Sequence, residues 1–280
     1  MSVSKGIALV TGAAQGIGKS IATRLARDGF DVALKDLPTK SEKLQQVAHE
    51  IRQQGRRSVI SVGDVSLEAD VKRSIDTAMV ANAGIIITKP ISNTTVEEWD
   101  RVLNINARGV FLCYKLAAEQ MIKQGRGGRI IGASSATGKR GDPAVAAYSA
   151  SKFAIRGLTQ CAALEYGSYG ITVNAYAPGK LELLRKPCRA LTAYQRIGEN
   201  RGRRVTLPVP GVPFLIWDTS ATSLPPEDFD VAFQRYVAQA ALQKCGETSD
   251  IAGLVAYLAS KEAHYITGQT INIDAGSNFD

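Results

Sequence analysis

The chain has 280 residues, a formal charge of +8 and 45% hydrophobic residues, enough to bury a full core without covalent staples. Its four cysteines (Cys113, Cys161, Cys188, Cys245) are scattered with no C-x-x-C pair, which argues against a disulfide framework and a zinc site and fits a reducing compartment. Residues 180–204 carry eight basic side chains and two acidic ones, so the charge excess is a local solvated stretch, lacking the interleaved aromatics of a nucleic-acid binder.

Short apolar runs alternate with amphipathic stretches, the pattern of a parallel sheet wrapped by helices. Gly6–Thr11 reads as a first strand, too short for a signal-peptide core or a membrane span, so a cytoplasmic protein is expected. Gly16–Asp28 reads as helix, with Ile17, Ile21 and Leu25 on one face. Strands follow at Asp31–Lys35 and Ser58–Val62, on either side of a helix at Ser41–Gln54. A helix at Leu67–Asp76 and a strand at Ala78–Asn82 then share only 16 residues, a cramped crossover. Thr95 and Glu98 form a capping box for one long helix, about 96–124. Strand Arg129–Ser134, helix Ala146–Tyr166, strand Ile171–Ala175, helix Ser249–Ala259 and strand Thr267–Asp274 complete the series. Residues 180–225 keep no period of 2 or 3.6 and read as an atypical long loop. The expected architecture is a single α/β domain over 1–280, a Rossmann-type doubly wound parallel sheet.

The segment Thr11–Gly18 lies where the first strand hands over to the first helix. Gly12 would make the tight turn, Gly16 would let backbone amides approach a pyrophosphate, and Gly18 would permit close helix–sheet packing. The helix N-terminus adds a partial positive charge. Asp36 ends the second strand, 24 residues after Gly12, where a carboxylate accepts hydrogen bonds from the ribose of NAD and repels a 2′-phosphate. Lys35 beside it would make NADP tolerable.

Tyr148 and Lys152 are four residues apart, hence on one helix face. A phenol is normally a weak acid near pH ~10, and a neighbouring ammonium favours its phenolate, which suits proton exchange with a carbonyl or alcohol. Ser135, thirteen residues earlier at a strand end, could hold the substrate oxygen, and on chemistry alone Ser134 is an equal candidate. Asn106 is a poor helix former inside the long helix, which hints at a task for its side chain. The two histidines, His49 and His264, stand beside neither a nucleophile signature nor a metal cluster and read as surface residues. Ser-His-Asp hydrolysis and metal catalysis are therefore not expected.

Together these residues resemble the short-chain dehydrogenase/reductase family. The resemblance rests on Thr11–Gly18 (with Gln15 and Ile17), Asp64-Val65, Asn82-Ala83-Gly84, Asn106, Ser135, Tyr148-x-x-x-Lys152, Pro178-Gly179 and Ile273–Gly276, and it covers about 1–179 and 230–280. It implies that Tyr148 is the acid/base, and that Lys152 binds the nicotinamide ribose and lowers the tyrosine pKa. It also implies that Ser135 polarises the carbonyl, Asn106 holds a proton-relay water, Asp64-Val65 contact adenine, and Asn82–Gly84 stabilise the sheet beside the cofactor. The family's usual assembly implies a homotetramer or homodimer through the two long helices. Within the family, Ala147–Gln160 and Gly170–Gly179 look most like diacetyl/acetoin reductases, with sugar or polyol reductases and 3-oxoacyl-carrier reductases as alternatives. The substrate is then a small carbonyl or alcohol, with no nucleic-acid or membrane partner and no metal. Two departures stand out: the cramped 65–81 segment, and Leu183 where the family carries a threonine that binds the carboxamide, followed by the basic insertion. They motivate a second reading, a dinucleotide-binding protein with impaired catalysis. A third makes residues 180–204 a site for an anionic partner.

Overall fold

The computed structural model describes residues 3–72, 78–179, 181 and 237–279. Apart from Leu181, the aperiodic 180–225 segment lies outside the described residues, with the basic side chains of 180–204, Leu183 and the expected continuation of the third helix to Asp76.

Seven strands form one parallel sheet in the order β3-β2-β1-β4-β5-β6-β7. They are β1 (Ile7–Thr11), β2 (Asp31–Asp36), β3 (Ser58–Val62), β4 (Ala78–Ala81), β5 (Gly128–Ala133), β6 (Ile171–Pro178) and β7 (Thr270–Ile273). Among the described residues the helices are α1 (Gly16–Arg27), α2 (Ser41–Gln53), α3 (Glu68–Lys72), α4 (Val96–Leu103), α5 (Gly109–Gln124), α6 (Ala146–Tyr166) and α7 (Thr248–Ala259). The chain winds outward from β1 to β3 and then returns to place β4 on the other side of β1. That reversal opens a crevice at the carboxyl ends of β1 and β4, the usual ligand position in such sheets. Despite its short crossover, β4 is fully seated. Ala8 pairs with Ala78, and Met79 pairs with Leu9 on one side and Ile130 on the other.

Alternation along the strands divides the core into two layers. Ala8, Val10, Val32 and Leu34 face α1, α2 and α7, where Ile21, Leu25, Ile51 and Val255 are fully buried. Leu9, Ala33, Met79 and Ile130 face α5 and α6, against Tyr114, Met121 and Ile155. No helix among the described residues is long and apolar enough to cross a membrane.

The long helix expected at 96–124 is interrupted. Its capping box forms as read, with the Thr95 hydroxyl accepting from the Glu98 amide and the Glu98 carboxylate accepting from the Thr95 amide. Residues Asn104–Arg108 then adopt a π-helical turn before α5 resumes. Within this turn the Asn106 side chain bonds outside the helix, to Ile85 and Ser151.

Candidate active site

At the end of β1 the chain turns at Gly12, with φ of +66°, a conformation that disfavours any side chain. A Cβ at Gly18 would lie 2.1 Å from the Gly12 carbonyl oxygen, so α1 can approach the turn only with glycine there. Gln15, the N-cap of α1, makes no side-chain cap hydrogen bond. The leading amides and the positive end of a 12-residue helix therefore face the crevice. Gly12, Gln15 and Ile17 line a cavity of about 780 Å³. A wide cavity, a turn that a Cβ would fill and a helix end without a side-chain cap fit a dinucleotide pyrophosphate.

Asn82 closes this turn from β4. Its Nδ2 donates to the Thr11 carbonyl at 2.9 Å, and the Thr11 hydroxyl accepts from the Asn82 and Ala83 amides at 3.0 Å each. The Tyr176 hydroxyl, from β6, donates to Asn82 Oδ1 at 2.8 Å. Tyr176 was missed in the sequence, although its place at the end of a strand, two residues before Pro178, was a usable signal. Ala83, Gly84, Pro178 and Gly179 line the same cavity. The Gly179 amide bonds to the Ile273 carbonyl at 3.1 Å, so the closing Ile273–Gly276 segment backs that wall.

Tyr148, Lys152, Ser135 and Ser134 converge on the cavity from α6 and the end of β5. The two serines divide clearly. Ser134 Oγ donates to the Lys152 carbonyl at 3.1 Å and locks α6 onto β5. Ser135 Oγ is the one beside Tyr148. It accepts from the Thr137 amide at 3.3 Å and makes a 3.1 Å contact with the Thr137 hydroxyl, which orient it. Lys152 Nζ lies 5.3 Å from the centre of the Tyr148 ring and donates to the Ala133 carbonyl at 2.7 Å.

Burial drives the Lys152 ammonium down to about 7 and the Tyr148 phenol up to about 12, with the Ser135 hydroxyl working in the opposite direction on the tyrosine. Desolvation is the largest influence on both groups.

Asn106 is fully buried behind this wall. Its Oδ1 accepts from the Ile85 amide at 2.8 Å, and its Nδ2 donates to the Ile85 carbonyl at 2.8 Å and to Ser151 Oγ at 3.0 Å. Ser151 in turn donates to the Tyr148 carbonyl at 2.6 Å. The side chain is thus a tie between the loop after β4 and α6, with no donor hydrogen left over for a water. Beyond Ile85 the loop is held again, since the Lys89 amide donates to the Ala144 carbonyl at 2.7 Å.

At the other end of the cavity, Asp36 Oδ2 accepts from the Ala14 amide at 3.0 Å and Oδ1 from the Leu37 amide at 2.9 Å. Asp64 and Val65 complete this end of the lining. Lys35 does not join Asp36. Being one residue earlier in a strand, it points to the opposite face, where it is fully buried and donates to the Asp70 carbonyl at 2.7 Å. The expectation that Lys35 would offset Asp36 is corrected accordingly.

A doubly wound parallel sheet with a glycine cradle at its switch point and a buried Tyr–Lys–Ser group defines a nicotinamide-type oxidoreductase. A family model described as short chain dehydrogenase matches residues 6–183, and one described as enoyl-(acyl carrier protein) reductase matches residues 209–278. A short-chain dehydrogenase/reductase of Armillaria gallica is 44% identical over 100% of this chain and 98% of its own length. The L-2,3-butanediol dehydrogenase of Corynebacterium glutamicum is 33% identical over 96% of this chain and 97% of its own. The 3-oxoacyl-[acyl-carrier-protein] reductase FabG of Staphylococcus aureus is 37% identical over 96% of each. Among solved structures, acetoin dehydrogenase from Salmonella typhimurium superposes with a TM-score of 0.75, at 27% identity, over 98% of this chain and 97% of that one. The chain belongs to the short-chain dehydrogenase/reductase family, whose members are NAD(P)-dependent oxidoreductases.

Proposed function

We propose that the protein is an NAD-linked reductase of a small ketone or diketone of the diacetyl and acetoin kind. The observation that carries this reading is the convergence of Tyr148, Ser135 and Lys152 on a cavity that also holds the glycine cradle. Gly12–Gly18 and Asn82–Gly84 would hold the dinucleotide, with Asp36 on the adenosine ribose, Asp64 and Val65 on adenine, and Pro178-Gly179 near the nicotinamide. The bound dinucleotide supplies the hydride. Ser135 donates a hydrogen bond to the substrate carbonyl oxygen, and Tyr148, neutral at working pH, passes it the proton. Lys152 holds the nicotinamide ribose. With both Asn106 Nδ2 hydrogens engaged, a proton-relay water at Asn106 would rest on a carbonyl oxygen of this residue within the π-turn.

Three features support a small, weakly polar substrate on NAD. Ile85, Ile86 and Ile87 line the cavity, and Ile86 packs with Val145 against Tyr148, giving the carbonyl apolar flanks. Two of the named relatives act on acetoin or butanediol. The Asp36 carboxylate opposes a 2′-phosphate, and Lys35 is turned away from it. A second reading, a 3-oxoacyl-carrier reductase, is favoured by the higher identity to FabG. Oxidation of NADH and of NADPH by the purified protein, with diacetyl, acetoin and a 3-oxoacyl thioester, separates the readings. The proposal expects turnover of the first two with NADH, whereas turnover of the thioester alone overturns it.

The same reading includes a cytosolic setting and a homodimer or homotetramer. Trp99, Phe111, Phe153 and Leu164 are exposed on α4, α5 and α6 in the single chain, and a partner would cover them. Light scattering after size exclusion should give two or four times the chain mass of 29.9 kDa, and a monomer would contradict it.

A further inference from the structure

We propose that Lys35 is a positioning residue for the adenine end of the cleft, holding the Gly63–Ser66 loop in its binding shape from beneath the sheet. The inference rests on the reading that Asp64 and Val65 receive adenine. A lysine with no exposed surface is uncommon, and its ammonium must be met by acceptors. The neighbouring Cys113 offers no counter-charge, because burial pushes its thiol up to about 12 against the opposing pull of the Lys35 ammonium. The ammonium instead donates to the Asp70 carbonyl, at 2.7 Å, on the short α3.

From Asp70 the connection runs directly to the cavity. Its Oδ2 accepts from the Asp64 amide at 2.9 Å, and a Cβ at Gly63 would lie 2.9 Å from the same carboxylate. The loop is therefore drawn tightly onto Asp70. Asp64 Oδ1 then accepts from the Ser66 amide and hydroxyl, both at 2.8 Å, which fixes the turn carrying Val65. Val71 is fully buried against the α5 layer, and Glu68 pairs with Lys115 of α5 at 3.0 Å. The outer pair is exposed and weakly held, so the buried link from Lys35 sets the position of α3 and the loop above it. Lys35 and Asp36 thus serve the same adenosine site from opposite faces of β2, one by shaping its floor and the other by touching the ligand.

The test compares the full-length protein with Lys35→Met and Asp70→Ala, measuring NADH by calorimetry and ADP by competition. ADP carries adenine and pyrophosphate without nicotinamide. Both ligands should bind about tenfold more weakly to Lys35→Met, as loss of a buried charge-assisted link implies. The KM for the carbonyl at saturating NADH should not move, nor should the NADPH-to-NADH preference. A shift in that preference would show that Lys35 reaches the 2′-position and would overturn the inference. Asp70→Ala keeps the carbonyl that Lys35 bonds and breaks only the link to the Asp64 amide, so it should weaken ADP in the same direction, and should Lys35→Met fail to fold, Lys35→Gln decides by the same readout. ADP affinity unchanged in a folded variant, with NADH still binding the unaltered protein, removes this inference alone. No NADH binding by the unaltered protein removes the cofactor reading with it.

Discussion

Asn106 and Ile85 clasp each other through two 2.8 Å hydrogen bonds, one in each direction between an amide side chain and a peptide backbone. The loop after β4 and the π-turn between α4 and α5 are thereby joined immediately behind Tyr148. Asn106→Ala leaves the half-buried backbone amide and carbonyl of Ile85 without these partners, a loss of about 3 kcal/mol. The thermal midpoint should fall by roughly 6–12 °C, measured by circular dichroism. A variant that melts with the native protein would show that the clasp carries no stability.

Lys152 presents the opposite case. Its ammonium is buried beside a neutral phenol, so its ordinary charged state is disfavoured in the folded chain. Lys152→Met should abolish turnover yet stabilise the fold by about 2 kcal/mol, a rise of ~4–8 °C. The pH dependence has a definite sign. Between about 7 and the ordinary value of 10.5, the unfolded chain keeps the proton that the folded chain has released, so native stability rises with pH in that window. The advantage of the variant is therefore largest below pH 7 and shrinks toward 10.5. Melts across pH 6–10 measure this, and a gap that widens with pH would contradict the assignment.

Asp36 is expected to govern the choice of dinucleotide. Asp36→Ala removes the charge opposing a 2′-phosphate while Lys40 stays on the same cavity rim. The ratio of kcat/KM for NADPH to that for NADH should rise about tenfold or more. The Ala14 amide also loses its acceptor, so NADH itself should bind less well. An unchanged ratio would move the discrimination elsewhere.

These features were not equally legible in the chain. The alternation of strands and helices, the Gly12–Gly18 turn and the Tyr148–Lys152 spacing are local patterns, and the fold places them as read. Ser134 and Ser135 were indistinguishable because their difference lies in which of two directions each hydroxyl takes at a strand end. The strand period of 2 already put Lys35 and Asp36 on opposite faces, so Lys35 could have been placed correctly. Others needed contacts distant in sequence. The task of Asn106 shows only when Ile85 and Ser151 meet it, and Tyr176 matters only because Asn82 lies across the sheet from it. The downward shift of Lys152 was hidden for a related reason. Spacing reports that two groups are near each other, but it does not report how little water reaches them.

The role of the Tyr148 hydroxyl as proton donor is tested most directly by Tyr148→Phe, assayed for NADH oxidation with diacetyl alongside calorimetric NADH binding. Removal of the hydroxyl should lower kcat about a thousandfold while NADH binds as before. Turnover within a few-fold of the unaltered protein would contradict it.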